Sequence, residues 1–134
     1  MLDYGCNQGG FLRMRHDRHP FHDAVGIDIA RESVARAELL KGHRPIEYKV
    51  GDRAAALGRT FNFAFSHEVL YLLPDLAAHA ADIKAALRPG GAYVAAMGCH
   101  TDSAVWPRWR QVLTETSSIP IYDHALDGVA KAFS

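Results

Sequence analysis

Met1-Leu2-Asp3-Tyr4-Gly5-Cys6-Asn7-Gln8-Gly9 reads as a short apolar strand that ends beside a carboxylate and runs into a glycine turn. The residues that follow suit a helix, so the stretch is strand, glycine loop, helix. Glycine lets backbone N–H groups approach a ligand closely, and the first turn of a helix favours negative or polar ligand groups. The pattern is Asp-x-Gly-x-Asn-x-Gly, not the Gly-x-Gly-x-x-Gly of dinucleotide-binding loops. Such a loop follows a complete strand, yet here only a few residues precede it, so residues 2–4 read as the end of a first strand.

Outward from this loop, strand and helix signals alternate. Residues 9–19 suit a helix stopped by Pro20. Residues 23–29 form a mostly apolar run of strand character with Asp28 near its end. Ala30, Val34, Ala37 and Leu40 recur at helical spacing, and Gly42 suits the stop. Residues 46–50 alternate as a strand does before a Gly51-Asp52 turn, and residues 61–66 suit a fourth strand. Asp75 can cap a helix with the stripe Leu76, Ala80, Ile83 and Leu87, closed by Pro89-Gly90-Gly91. Residues 92–97 suit a fifth strand. Val105, Trp109 and Val112, then Leu126, Val129, Ala130 and Phe133, mark two more helices. This order predicts an α/β fold: an open, mostly parallel, doubly wound sheet of about five strands with helices on both faces. In such folds ligands sit beyond the C-terminal ends of the strands.

At 134 residues the chain has the length of one domain with a real core. Its formal charge of zero gives no global field toward nucleic acid or anionic membranes, so neither partner is expected. No apolar run approaches the roughly 20 residues of a membrane span. The N-terminus lacks the basic and apolar pattern of a signal peptide. Cys6 and Cys99 are too few for a disulfide framework, which predicts a cytoplasmic, reducing setting.

Three carboxylates fall at successive strand ends. Asp3 precedes the loop; Asp28 lies about 20 residues beyond it, where a carboxylate can accept from a ribose diol. Asp28 also suits the start of the next helix. Asp52 is placed to accept from an adenine amino group, or simply to complete the turn after Gly51. The three agree with one adenosine-containing ligand.

The order and spacing of these segments resemble the class I S-adenosylmethionine-dependent methyltransferases over nearly the whole chain. Leu-Asp-Tyr-Gly-Cys-Asn-Gln-Gly-Gly-Phe-Leu (residues 2–12) is similar to their first motif, and Val-Gly-Ile-Asp-Ile-Ala (25–30) to the acidic second strand. Gly-Asp-Arg (51–53) resembles the adenine-side motif, and residues 61–73 the fourth-strand motif. Leu-Arg-Pro-Gly-Gly-Ala-Tyr (87–93) resembles the turn into the fifth strand. The resemblance implies S-adenosyl-L-methionine as cofactor, with Gly5, Cys6, Asn7 and Gly9 along its methionine and ribose portion. Asp3 would support the loop or the methionine ammonium, Asp28 would hold the ribose hydroxyls, and Ile29 would pack on adenine. Asp52 and Arg53 would face the adenine edge, and Ser66 would lie near the sulfonium. Asn7 departs from the usual glycine, although asparagine tolerates a left-handed backbone better than most residues.

Methyl transfer from a sulfonium is an in-line displacement, so positioning supplies much of the acceleration. A base is needed only where the acceptor loses a proton. His67 is the candidate, with Glu68 and Tyr71 on the acceptor side. Packing and helix-start roles compete for all three. His16, His19 and His22 are broken by Pro20 and lack the spacing of a metal motif, so they and Arg13, Arg15 and Arg18 are read as a solvated basic face.

The leading reading is a methyltransferase acting on a small molecule. One alternative is an NAD(P)-dependent Rossmann oxidoreductase, disfavoured by the first loop and by the lack of Tyr-x-x-x-Lys. The other is an incomplete or binding-only module. Residues 1–134 are expected to form the cofactor core without the family's N-terminal cap helix and last two strands. Such a core exposes a sheet edge, which predicts a homodimer.

Overall fold

The computed structural model describes residues 1–134. The five strands are β1 (Leu2–Tyr4), β2 (Ala24–Asp28), β3 (Ile46–Val50), β4 (Phe61–His67) and β5 (Leu87–Ala96). The helices are α1 (Gly10–Arg18), α2 (Arg31–Leu40), α3 (Leu76–Ala86), α4 (Trp106–Thr116) and α5 (Leu126–Ala132). All strand pairs are parallel, in the order β3-β2-β1-β4-β5. The chain winds outward from β1 to β3, then returns to the other side of β1. The order therefore reverses between β1 and β4, the place where such sheets open a crevice.

Every residue of β1 is buried, as expected of a central parallel strand covered on both faces. Alternation divides the core in two. Leu2, Tyr4, Val25, Ile27, Ala64 and Ile83 pack on the α3 side. Leu12, Ala24, Val34, Ala37, Ile46 and Tyr48 pack on the α1 and α2 side. Tyr48 sets the tightest constraint in this second layer. Its hydroxyl donates to Gly9 O at 2.9 Å, and its ring fills the space that a Cβ on Gly9 or Gly26 would occupy. Gly9 is there for this side chain as well as for the turn, and Gly26, inside β2, for the side chain alone.

The expected elements match in order, with one informative shift. β5 begins at Leu87, not at residue 92, so the Pro89-Gly90-Gly91 segment is part of the strand. Leu87 closes α3 and at once pairs with Phe61, and a register shift between Phe61 and Phe63 absorbs the glycines. At this irregularity a Cβ on Gly91 would meet the backbone oxygens of Arg88 and Phe61 at 2.9 and 3.1 Å. Proline is tolerated because β5 is an edge strand. Asp75 caps α3 as expected, accepting from Ala78 N at 2.9 Å. No helix is long and apolar enough to cross a membrane.

Candidate functional site

A cavity of about 1140 Å³ opens beyond the C-terminal ends of the strands. The loop after β1 supplies its floor, with Gly5, Asn7 and Gln8. The loop turns through left-handed backbone at Gly5, Asn7 and Gly9, with φ of 76°, 47° and 71°. Asn7 thus holds the backbone conformation that glycine would adopt most easily. One carboxylate fastens this loop to the next strand. Asp28 Oδ2 accepts from Asn7 N and Oδ1 accepts from Ala30 N, both at 2.8 Å. Asp28 therefore serves the start of α2 and the glycine loop together. Each oxygen keeps a second acceptor position, and Asp28 lines the cavity.

Ile29 follows, 73% exposed and lining the cavity. A large apolar side chain presented to an open crevice offers a flat partner for an aromatic ligand. Gly51 and Asp52 close the same side. Beneath the loop, Asp3 is buried and its Oδ2 has no hydrogen-bond partner. Burial, and then the charge of Asp28, push the Asp3 carboxyl up to about 7. Cys6 is buried, and desolvation followed by the charges of Asp3 and Asp28 raises its thiol strongly. It is a neutral packing group rather than a nucleophile.

On the opposite side, β4 contributes Phe65 and His67. Phe65 stacks on Phe11 with centroids 4.2 Å apart, and His67 lies parallel to Phe65 at 6.5 Å. Glu68 follows with a left-handed φ of 53°. Its Oε1 accepts from Gly98 N at 2.6 Å, while its buried Oε2 has no partner. Burial raises the Tyr71 hydroxyl above its usual value.

A strap between α4 and α5 completes the wall with Ile119, Pro120 and Tyr122. It is fastened at several points. Tyr122 N donates to Tyr71 O at 2.8 Å, and His124 Nε2 donates to Leu73 O at 2.8 Å. Trp106 Nε1 donates to Asp123 Oδ1 at 2.8 Å, and Arg110 Nε reaches the same oxygen at 3.0 Å.

The cavity thus brings together Asp3, Gly5, Cys6, Asn7, Asp28, Ile29, Asp52, His67, Glu68 and Tyr71. Three residues expected beside the cofactor lie elsewhere. Ser66 points to the other face of the sheet, because neighbouring strand residues alternate. Its Oγ is 2.6 Å from Tyr93 Oη, which is 3.2 Å from His79 Nε2. Gly9 stays behind the loop against Tyr48. Arg53 lines an adjoining hollow of about 270 Å³ that shares Gly51 and Asp52 with the cavity, its Nε 3.6 Å from Asp82 Oδ1.

The sequence reading missed Phe11, Phe65 and the strap. Phe65 was available from parity, since it shares a strand face with His67. The strap had no motif to mark it. His16 packs edge-on against Phe21 rather than joining His19 and His22 in a cluster. No three His, Cys, Asp or Glu side chains are grouped to hold a metal ion.

A parallel sheet with a glycine loop at its switch point and carboxylates at successive strand ends defines a nucleoside-binding Rossmann-like fold. Residues 1–127 match the family described as methyltransferase domain. The chain belongs to that family, in agreement with the resemblance carried by its motifs. No curated protein matches the chain.

Among solved structures, a Haloferax volcanii methyltransferase in complex with the Trm112 methyltransferase activator superposes with a TM-score of 0.85 at 22% identity. That match covers 98% of this chain and 57% of the other. An S-adenosylmethionine-dependent methyltransferase from Mesorhizobium loti matches at 30% identity and TM-score 0.61, over 70% of this chain and 43% of its own. Geranyl diphosphate C-methyltransferase from Streptomyces coelicolor, solved with S-adenosyl-L-homocysteine, matches at 17% identity and TM-score 0.76, over 98% and 49%. The chain spans about half the length of these structures.

Proposed function

We propose that this chain is the cofactor-binding core of an S-adenosyl-L-methionine-dependent methyltransferase acting on a small-molecule acceptor. The observation that carries the reading is the Asp28 carboxylate, fixed by Asn7 N and Ala30 N at the lip of the cavity. The residues fit this cofactor. The free acceptor positions of Asp28 suit the ribose hydroxyls, exposed Ile29 suits an adenine face, and Asp52 suits the adenine amino group. The unpartnered Asp3 Oδ2 marks a buried acidic point beneath the loop, which an ammonium group nearby would neutralise. Family membership favours this reading over a nicotinamide-dependent one.

The bound cofactor supplies a methyl group activated by a positive sulfur. The chain's contribution is placement. Gly5 and Asn7 hold the loop open to the ligand, and Phe11, Phe65 and the strap exclude water from the reacting end. His67 faces the same space and takes the proton where the acceptor must lose one. Glu68 and Tyr71 border the acceptor. The free thiols of Cys6 and Cys99 suit a reducing, cytoplasmic setting. The outer edge of β5 is unpaired, which favours self-association.

Incubation with methyl-labelled S-adenosylmethionine and a pooled small-molecule extract tests the reading. Labelled small molecules, formed one for one with S-adenosylhomocysteine, are expected. Cofactor turnover without labelled product, or label found only in protein or RNA, contradicts it.

A further inference from the structure

The cavity wall carries four carboxylates, Asp3, Asp28, Asp52 and Glu68, and no lysine or arginine. In the methyltransferase reading, on which this inference rests, the first three serve the cofactor. Glu68 stands apart from them, on the side where His67, Tyr71 and the strap meet. Gly98 N holds its Oε1 at 2.6 Å, no N–H or O–H of the protein reaches Oε2, and the neighbouring Cys99 thiol, raised by burial and then by Glu68, stays uncharged. No basic side chain pairs with it among the ion pairs of the fold. Its backbone is held at φ 53°, a conformation that a non-glycine residue adopts at a cost and that is enriched at functional sites.

The rest of this end is apolar: Val69, Leu72, Leu73, Ile119 and Pro120 line it. Ile119 is 57% exposed, an apolar surface not covered by the fold itself. A carboxylate with no counter-charge, set in apolar walls, attracts a cation and repels an anion strongly, because the local dielectric is low. A phosphorylated or carboxylated acceptor would find no lysine or arginine here.

We propose that the acceptor is an amine attached to an apolar body, with Glu68 supplying the charge that recognises the amine and the Ile119–Tyr122 strap packing against the body. Glu68 is then a specificity residue for the acceptor and takes no part in holding the cofactor.

Calorimetry on the protein saturated with S-adenosylhomocysteine tests this with three probes: tryptamine, 3-indolepropionate and ethylamine. Tryptamine is expected to bind at least tenfold more tightly than either of the others, since one lacks the amine and the other the apolar body. Glu68→Gln keeps an oxygen for Gly98 N and removes the charge. It should erase most of the preference for tryptamine over 3-indolepropionate and leave the affinity for S-adenosylhomocysteine unchanged. Ile119→Ser should weaken tryptamine and leave ethylamine unaffected.

Equal binding of tryptamine and 3-indolepropionate by the unmodified protein overturns the proposal without involving any variant. Retention of the preference in Glu68→Gln overturns the role of Glu68. Failure of S-adenosylhomocysteine itself to bind overturns the methyltransferase reading, and this inference with it.

Discussion

Asp28 Oδ2 lies 2.8 Å from the backbone nitrogen of Asn7, so the end of the second strand grips the loop that follows the first. Asn7 is held there with a φ of 47°, and the same carboxylate takes the N–H of Ala30. In Asp28→Asn the amide NH₂ replaces one acceptor and faces a backbone N–H. We expect a loss of about 1.5–3 kcal/mol in stability, typical of a charge-assisted hydrogen bond, and at least a tenfold loss in S-adenosylhomocysteine affinity. Denaturant unfolding and calorimetry measure the two effects separately. An unchanged affinity would show that Asp28 serves only the loop.

Tyr48 supports the loop from behind. Removing its hydroxyl in Tyr48→Phe leaves Gly9 O with only the longer bond from Arg13 N, at 3.3 Å, and should destabilise by about 1 kcal/mol. Gly9→Ala should cost more, because its Cβ would collide with the Tyr48 ring and its φ of 71° is unfavourable for alanine. Thermal unfolding of the two variants should therefore rank Gly9→Ala as the less stable.

Two buried groups give opposing pH dependences. The Asp3 carboxyl is pushed up to about 7 by burial and by Asp28, from an ordinary value of 3.8. Between these values the folded chain holds a proton that the unfolded chain has released. Asp3 therefore makes stability fall as pH rises from about 4 to about 7. His79 is lowered to about 4 by burial, with the charge of Asp82 acting weakly against it. The unfolded chain binds its proton first, so His79 makes stability fall as pH drops from about 6.5 to about 4. Asp3→Asn should flatten the first slope and expose the second in denaturant unfolding across pH 4–8. A cationic group bound near Asp3 also favours its ionised form. Cofactor binding near pH 6 should thus release protons, detectable in buffers of different ionisation enthalpy.

Ser66 distinguishes the two faces of β4. Its bond to Tyr93 lies on the side away from the cavity, so Ser66→Ala should cost about 1 kcal/mol and leave cofactor affinity intact. A large loss of affinity would place it at the site after all.

The outer edge of β5 is open, and Val94 on that strand is 45% exposed. Sedimentation velocity should show a dimer growing with concentration. A single monomer species at all concentrations would contradict edge pairing.

Much of this fold could be read from local rules. Alternation, helical spacing and the cap at Asp75 placed every strand and helix in order. Leu87–Gly91 misled because proline and glycine usually mark a turn, whereas pairing with Phe61 and a register shift keep this segment in the sheet. The loop and the strand-end carboxylates were legible because their chemistry depends on chain position. Ser66 was expected near the sulfonium, but alternation along β4 turns it to the face opposite Phe65 and His67. Ile119 and Tyr122 reach the cavity only through long-range bonds to Tyr71 and Leu73, and no local pattern encodes those. Gly9 was read as a ligand contact, but its constraint comes from Tyr48, far along the chain.

In the proposed function, the crevice at the β1–β4 reversal holds S-adenosylmethionine. Titration calorimetry of the intact chain with S-adenosylhomocysteine and, separately, with NAD tests it most directly. One-to-one binding of S-adenosylhomocysteine, weakened at least tenfold in Asp28→Asn, is expected, with no saturable heat from NAD. Saturable NAD binding with none for S-adenosylhomocysteine would contradict it.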